Sequence, residues 1–319
     1  MPAIRPGAHG AVITGWGTAL PPKLVTNQDL ADSGLDTNDD WIFERTGIRE
    51  RRVGGTTAGL SAEAARLALG MSGIDPASID AIVLATTTPD RTVPGTSSTV
   101  AAELGLRCGA FDINAACSGF TYAMVVAHGL IATGAERLLV IGTDTLARIT
   151  DWTDRNTAVL FADGSGAVVL EAVEGRGELL SWHLDADGSA ERYLYADIGG
   201  NLKMDGKEVF RRAVRIMVDS AKKSMAFAGI TADDVKLVVP HQANIRIIHA
   251  ACDRLGIGHD RAAVVLDRTG NTSSASIPLA LVDAIDAGKV AEGDVVLLVG
   301  FGAGMTAASA LLRWGGDAP

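Results

Sequence analysis

The sequence predicts an α/β protein made of two similar halves. Short apolar runs bounded by turn-forming residues alternate with helical stretches, a rhythm typical of strands buried in parallel sheets. The same order of strands and helices occurs twice, first from Ile79 and again from Val235. A hydrophobic content of 47% and 37 glycines suit a tightly turned fold of this class. We therefore expect one half over residues 1–175 and the other over residues 176–319.

Each half is predicted to contain four strands. In the first half they are DAIVLATTTPD, GAFDINAA, ERLLVIGTDT and GSGAVVLEAV, with a helix after each of the first two. The second half repeats this order with KLVVPHQAN, AAVVLDRTGN, GDVVLLVGFGAG and TAASALLRW. Between them, SWHLDADGSAERYLYADIGGNLKMDG is predicted to be an irregular insertion. The following GKEVFRRAVRIMVDSAKKSMAFAG has apolar residues at helical spacing and predicts an amphipathic helix ending at Gly229.

Charge and cysteine usage exclude several classes of function. A net charge of −10 argues against general nucleic-acid binding, which needs a broad basic surface. The three cysteines, Cys108, Cys117 and Cys252, lack the spacing of a metal site and are odd in number, so neither zinc nor a disulfide framework is expected. No run reaches the ~18 consecutive apolar residues of a membrane helix. We expect a soluble, cytoplasmic protein.

Three polar residues lie at comparable places in the repeat. Cys117 and Asn271 are predicted at equivalent strand-to-helix turns, and His241 ends the strand that opens the second half. Ligands of open α/β sheets gather at such carboxyl ends of strands. Alone, a free cysteine is most often a small buried apolar residue, His241 is compatible with a core histidine, and Asn271 with a helix N-cap. Together they supply a nucleophile, a neutral donor and an orienting amide.

The surroundings of Cys117 favour a reactive thiol. The N-terminus of a helix stabilises a thiolate, so the pKa of Cys117 is predicted to be lowered. The segment GFGAGMT lacks the glycine spacing of a dinucleotide-binding loop and precedes a strand rather than a helix. Its backbone N–H groups could instead stabilise an oxyanion beside the amide of Cys117.

Several motifs together resemble β-ketoacyl-acyl-carrier-protein synthase III, of the thiolase superfamily. They are NAACSGFTYA, VVPHQANIRII, LDRTGNTSSASIP, GFGAGMT, DDWIFERTGIRERR and DWTDRNTAVLFADGSGAVVL, in order along nearly the whole chain. The resemblance implies a thiolase-like fold, with two pseudo-repeated βαβαβαββ halves packed as α/β/α/β/α layers, and a homodimer. Thiolases carry a second cysteine in the glycine loop, and elongating synthases a histidine in place of Asn271.

The resemblance also implies a reaction without a cofactor or metal. Cys117 takes an acyl group from acyl-CoA, and His241 and Asn271 stabilise the enolate formed from malonyl-acyl-carrier protein. The oxyanion hole is expected from the amides of Cys117 and Ala303. Two alternatives stay open: a starter synthase or acyltransferase of polyketide biosynthesis, and a noncatalytic module that binds acyl-CoA or the carrier protein.

Substrate contacts are assigned from the same resemblance. The residues expected to bind CoA and its pantetheine arm are Trp41, Arg45, Arg155, Gly206, Phe210 and Asn244. Those expected to dock the carrier protein are Lys207, Arg211, Arg215, Gln242, Arg246 and Arg254. Asp253 stands beside Arg254 where the family carries consecutive lysines. Val93 matches an acyl-pocket position that can hold a bulky aromatic residue, so longer or branched primers are expected to fit.

Overall fold

Two larger β-sheets form the framework of the protein. The computed structural model describes residues 9–316. The strands within that range are β1 (His9–Ala19), β2 (Lys23–Thr26), β3 (Glu50–Val53), β4 (Ala81–Ala85), β5 (Gly109–Ile113), β6 (Arg137–Thr145), β7 (Asp163–Glu174), β8 (Leu179–Ala186), β9 (Leu194–Tyr195), β10 (Lys203–Met204), β11 (Val235–Pro240), β12 (Val295–Gly302) and β13 (Thr306–Arg313). The first sheet has the order β1-β7-β6-β4-β5, and the second the order β11-β12-β13-β8.

Helices cover and separate these sheets. In chain order they are α1 (Asn27–Asp32), α2 (Asp39–Thr46), α3 (Thr57–Ser72), α4 (Thr96–Glu103), α5 (Gly119–Ala132), α6 (Arg155–Ala158), α7 (Gly206–Ala228), α8 (Ile245–Leu255), α9 (Leu266–Thr269) and α10 (Ser276–Asp286). Apolar side chains of α5 and α10 form one core with strands of both sheets. Those of α3 and α4 cover the outer face of the first sheet, and those of α7 and α8 the outer face of the second. The predicted α/β/α/β/α layering is confirmed.

The sheets are mixed, whereas the sequence predicted parallel ones. In the first sheet β4 runs parallel to β5 and β6, and in the second β11 runs parallel to β12. The other neighbours are antiparallel. The short connection Ala303–Met305 between β12 and β13 explains one reversal, because parallel neighbours need a long crossover.

Two local predictions are wrong. The run AAVVL, expected to be a strand, makes only an isolated bridge from Ala262 to Val238. Its backbone is bonded to a side chain instead: Gln242 donates to Ala263 O and accepts from the N–H groups of Val265 and Leu266. The segment SWHLDA, expected to be irregular, lies in β8 and pairs antiparallel with β13.

The predicted amphipathic helix is confirmed as α7. The Asp205 side chain caps its first turn by accepting from the Glu208 N–H. It ends where Gly229 takes a φ of 67°, a left-handed conformation that glycine adopts without steric cost. Its apolar face packs on the second sheet, and its other face carries exposed cations. No helix within residues 9–316 combines the length and apolar character needed to cross a membrane.

Candidate active site

Cys117 lies at the junction of β5 and α5. After β5 ends at Ile113, one 3₁₀ turn, Ala116–Ser118, leads into α5. Ala116 has a φ of 48°, a left-handed conformation that costs a non-glycine residue about 1–3 kcal/mol. This turn directs the chain so that Cys117 lies just ahead of the N-terminus of α5, buried between the two halves.

Burial dominates the acidity of the Cys117 thiol. It raises the pKa of the thiol to about 12, and a hydrogen bond with the Ser273 side chain lowers the pKa less than burial raises it. The negative charge of Asp144 raises the pKa further. The sequence predicted a lowered pKa from the helix N-terminus, and the structure corrects that direction. In the substrate-free protein the buried thiol is therefore protonated at neutral pH.

His241 follows β11 and is a neutral side chain. Burial lowers the pKa of its imidazole to about 3. Its Nδ1 lies 2.6 Å from Ser276 Oγ, which also accepts the Gln242 N–H at 3.3 Å. We assign the Ser276 proton to the bond with Nδ1, which leaves the ring proton of His241 on Nε2. The histidine can then donate a hydrogen bond from Nε2.

Asn271 is oriented by its own turn. Its Oδ1 accepts a hydrogen bond from the backbone N–H of Ser273 at 3.0 Å. Because the carbonyl end of the amide is engaged in this way, its Nδ2 group is the end left to donate to a ligand. An isolated bridge joins the Asn271 backbone to Phe161 of the first half, where Asn271 N donates to Leu160 O and Asn271 O accepts from Ala162 N.

The turn before α5 and the turn before α10 are equivalent in the two halves, but Cys117 and Asn271 do not occupy the same position in them, although the sequence predicted that they would. Asn114 Oδ1 accepts from the Ala116 N–H at 3.2 Å, the same bond that Asn271 makes with Ser273. Ala116 and Ser273 are also alike in having positive φ angles, 48° and 51°. Asn271 therefore corresponds to Asn114, and the residue equivalent to Cys117 is Ser274.

One inner cavity brings the three candidate catalytic residues together. It has a volume of about 130 Å³ and is lined by Cys117, His241, Asn271 and Phe301 among others. Phe301 packs edge-on against the His241 ring, with ring centroids 5.4 Å apart. The site thus holds a buried thiol, a neutral imidazole donor and a primary amide in one enclosed space, in which polar interactions are stronger than in water.

A second, deep cavity extends from Cys117. It has a volume of about 350 Å³ and is lined by Leu146, Ile149, Leu194, Leu202 and Ala303, with polar Thr87, Asn114 and Ser273. Cys117, Phe161 and Leu194 line both the inner and the deep cavity. Apart from the exposed Glu191, no charged side chain within residues 9–316 lines this cavity, and its many apolar side chains suit a hydrocarbon chain attached to Cys117.

The glycine loop packs directly against the backbone of Cys117. A Cβ added at Gly302 would lie 2.6 Å from Cys117 N, so only glycine permits this approach. The next residue, Ala303, lines the deep cavity beside Cys117. The structure therefore places the two residues expected to form the oxyanion hole next to each other.

An outer cavity lies beside the inner one. It has a volume of about 500 Å³, and its lining includes all six residues predicted to bind CoA: Trp41, Arg45, Arg155, Gly206, Phe210 and Asn244. The Cζ atoms of Arg45 and Arg155 lie 4.6 and 4.7 Å from the centroid of the Trp41 ring. Leu160, Met204 and Phe210 line both the outer and inner cavities, so the two cavities adjoin at these side chains.

Two family descriptions match the chain. Residues 111–188 match 3-Oxoacyl-[acyl-carrier-protein (ACP)] synthase III, and residues 225–314 match the C-terminal part of the same synthase. A protein of Allorhizobium ampelinum named Beta-ketoacyl-[acyl-carrier-protein] synthase III is 47% identical, covering 95% of this chain and 99% of that protein. The chain belongs to the β-ketoacyl-acyl-carrier-protein synthase III family. It is an acyltransferase of the condensing type, as its sequence predicted.

Solved structures of this synthase III family have the same fold. The 3-oxoacyl-[acyl-carrier-protein] synthase III of Aquifex aeolicus superposes with a TM-score of 0.93 at 43% identity, covering 96% of this chain and 100% of that one. The priming β-ketosynthase of the R1128 polyketide pathway superposes with a TM-score of 0.92 at 35% identity, covering 98% and 99%. The fold is therefore shared both by a structure named as a synthase III and by one named for a polyketide pathway.

Of the residues assigned by resemblance to the synthase III family, Gln242 does not lie where its role requires, and Val93 lies outside the cavities of its own subunit. Gln242, expected on the docking surface, is 0% exposed and is bonded to Pro240 O and to the segment before α9. It holds the backbone that leads to Asn271 and cannot contact a partner. Val93, expected in the acyl pocket, is 80% exposed and lines neither cavity that reaches Cys117. Within its own subunit, therefore, Val93 does not limit the acyl chain.

The remaining residues predicted to dock the carrier are exposed. They are Lys207, Arg211 and Arg215 on α7, and Arg246 and Arg254 on α8. Lys207 and Arg246 line the outer cavity, and Arg246 lies over the Phe210 ring. Arg211 pairs with Glu208 at 2.7 Å. Near Arg254, the Asp253 carboxylate lies 2.8 Å from His259 Nε2.

Sequence reasoning missed three polar residues that shape the synthase site. Ser273 contacts the Cys117 thiol, Ser276 orients His241, and Asp144 lies close enough to affect the pKa of Cys117. Both serines belong to the run NTSSAS, and Asp144 ends a predicted strand. Their position at or after the carboxyl end of a predicted strand is the sequence feature that could have identified these residues as part of the site.

Proposed function

We propose that this protein condenses an acyl-CoA primer with malonyl-acyl-carrier protein, giving a 3-oxoacyl-carrier protein, CoA and CO₂, as the initiating step of fatty-acid synthesis. The observation that carries the proposal is that the outer cavity at the Trp41 cluster adjoins the cavity shared by Cys117, His241 and Asn271, and together they would form one passage. A long thioester arm fits such a passage, with its nucleotide at the surface and its acyl group at the thiol.

In the first half-reaction, the sulfur of Cys117 attacks the thioester carbonyl of acyl-CoA. The bond from carbonyl carbon to CoA sulfur breaks, the acyl group becomes attached to Cys117, and the proton lost by the thiol leaves on CoA. The amides of Cys117 and Ala303 stabilise the oxyanion of the tetrahedral intermediate. This role is supported by the contact between the glycine loop and the Cys117 backbone.

In the second half-reaction, malonyl-carrier protein occupies the same passage. Its carboxylate leaves as CO₂, and the electron pair forms an enolate whose oxygen accepts hydrogen bonds from His241 Nε2 and Asn271 Nδ2. The enolate carbon attacks the acyl carbonyl on Cys117, and the thiol takes up a proton as the product leaves. A neutral histidine suits this role because it donates a proton to a hydrogen bond without giving it up.

The carrier protein is proposed to dock around the outer cavity. Lys207, Arg211, Arg215 and Arg246 give this face of an otherwise acidic protein, with net charge −10, a local positive charge. Oppositely charged surfaces accelerate encounter and fix orientation. This supports an acidic partner whose phosphopantetheine arm enters beside Phe210.

We further propose a cytoplasmic homodimer. The three cysteines are free, as in a reducing compartment. Strand β5 is an edge of the first sheet, so a second copy could extend that sheet. Light scattering of the purified protein at two concentrations measures the mass directly, and a monomer at both would contradict the dimer.

Mass spectrometry tests the reaction. After exposure to a panel of acyl-CoAs, the intact protein is expected to gain one acyl mass, which malonyl-carrier protein then removes as 3-oxoacyl product. Cys117→Ala should gain none, whereas the control Cys108→Ala, which removes the half-buried thiol, should acylate normally. An acyl adduct on Cys117→Ala would contradict the proposal.

The alternative function is synthesis of the starter unit of a polyketide. It is supported by the similarity of this chain to the priming β-ketosynthase of the R1128 pathway. A carrier protein of fatty-acid synthesis and one of a polyketide pathway, each malonylated, distinguish the two. Fatty-acid synthesis predicts the higher kcat/KM with the former. A protein that binds acyl-CoA without forming an adduct would instead be the noncatalytic module.

A further inference from the structure

Asp144 is a buried carboxylate to which the proposed reaction assigns no step. It lies near the end of β6 and is 0% exposed. Its Oδ1 accepts from the backbone N–H groups of Thr87 and Thr88 at 2.7 and 3.1 Å. The hydroxyls of Thr86, Thr87 and Thr88 also donate to it, at 3.0, 2.9 and 2.9 Å. One oxygen thus holds the whole loop that follows β4.

The other oxygen of Asp144 holds the opposite half of the protein. Oδ2 accepts from Ser274 N at 3.0 Å and from Ser274 Oγ at 2.7 Å. Ser274 lies in the 3₁₀ turn Ser273–Ala275, which is separated from Asn271 only by Thr272. A single carboxylate therefore joins the end of β4 in the first half to the turn that carries Asn271 in the second.

Both groups held by Asp144 reach the active site. Thr87 and Ser273 line the deep cavity with Cys117. The Ser273 N–H is also the donor that orients the Asn271 amide. Within residues 9–316 the side-chain and backbone groups that donate to Asp144 are uncharged, and its negative charge raises the pKa of the nearby Cys117 thiol.

We propose that Asp144 is a positioning residue for the condensation half-reaction, holding the turn of Asn271 against the first half so that the amide stays aimed at the malonyl thioester. This inference rests on the proposed function. It follows from geometry, because a donor displaced by ~1 Å can lose about 100-fold in rate. Acyl transfer relies on Cys117 and the glycine loop and does not use the Asn271 amide, so it depends less on this turn, of which only Ser273 contacts the thiol.

The test compares Asp144→Asn with Glu178→Gln. Glu178 is a matched control, a buried carboxylate that accepts from the N–H groups of Ile13 and Gly315 at the opposite end of the sheets. Stopped-flow CoA release measures acyl transfer, and single-turnover product formation from the pre-acylated enzyme measures condensation. For Asp144→Asn, condensation should fall about 100-fold while acyl transfer falls far less. Glu178→Gln should change neither rate.

Alkylation supplies a readout that a merely structural role would not move. With its negative neighbour neutralised, the Cys117 thiol should react faster with iodoacetamide at pH 8 in Asp144→Asn, and at the wild-type rate in Glu178→Gln. Equal losses in both half-reactions with unchanged alkylation would overturn the proposal, as would condensation at the wild-type rate.

Ser274→Ala keeps the test decisive if Asp144→Asn does not fold. This variant removes the hydroxyl donor and preserves the charge, and condensation should fall about 10-fold with acyl transfer unchanged. Condensation at the wild-type rate would overturn the proposal. A wild-type protein that takes up no acyl group would refute the proposed function, whereas an active wild type with fully active variants would refute only the role of Asp144.

Discussion

Asn114 and Asn271 make the same hydrogen bond in the two halves of the protein. Each side-chain carbonyl accepts the N–H of the residue two positions on, Ala116 at 3.2 Å and Ser273 at 3.0 Å. In the first half the turn presents Cys117, and in the second it leaves the Asn271 amide facing the inner cavity. One turn geometry therefore carries the proposed nucleophile in one half and the proposed hydrogen-bond donor in the other.

This equivalence predicts opposite effects for two alanine variants. Asn271→Ala removes the proposed donor to the enolate and should slow decarboxylation of malonyl-carrier protein by about 100- to 1,000-fold, while acyl transfer persists. Asn114→Ala loosens the turn of Cys117 and should slow acyl transfer while decarboxylation persists. Release of labelled CO₂ and acyl-adduct mass measure the two steps. Loss of the same step in both variants would contradict the assignment.

Trp41→Ala is expected to weaken recognition of the CoA nucleotide. In the free protein the guanidinium groups of Arg45 and Arg155 lie over the indole, and adenine can stack there only if one of them moves. Since stacking on an aromatic ring contributes about 1–3 kcal/mol per base, KM for acyl-CoA should rise about 10-fold with little change in kcat. An acyl-pantetheine substrate, which has no adenine, provides the control, and its KM should not change. A rise in KM for both substrates would show that Trp41 does not act through the adenine, and would contradict this assignment.

Charge reversal should identify the docking face. Arg246→Glu and Arg211→Glu are each expected to raise KM for malonyl-carrier protein several-fold and to leave KM for acyl-CoA unchanged. The difference from wild type should shrink as salt is added, because exposed charges are screened. Arg66→Glu, an exposed arginine on α3, is the matched control. An unchanged KM for the carrier in the first two variants would rule out this surface.

The buried carboxyl of Glu178 is expected to make the stability of the protein depend on pH. Burial raises the pKa of its carboxyl to about 7 from a normal value of 4.5, although two backbone N–H groups bond it. Unfolding releases a carboxyl that ionises more easily, so the free energy of unfolding should fall by roughly 3 kcal/mol as the pH rises from 4.5 to 7. Urea denaturation at several pH values measures this slope. In Glu178→Gln the free energy of unfolding should depend less on pH. An unchanged pH dependence would show that another group causes it.

The residues of the candidate site could be predicted from the sequence because they stand in local patterns. Cys117, His241 and Asn271 each follow a predicted strand, and Trp41, Arg45 and Arg155 lie in recognisable segments. Helix α7 was equally predictable, since its spacing and its terminal glycine are local properties. Hydrophobic periodicity did not reveal strand direction, so the mixed sheets were missed.

Contacts between distant segments decided what the sequence left open or predicted wrongly. Gln242 is part of an exposed-looking polar run, yet it is buried because its amide bonds the backbone near Val265. The helix N-terminus predicted an acidic Cys117 thiol, but burial between the halves and the charge of Asp144 raise its pKa. The sequence by itself determined the fold class and the chemistry carried by each residue. Only the tertiary structure decided their burial, orientation and acidity, because these depend on partners far away along the chain.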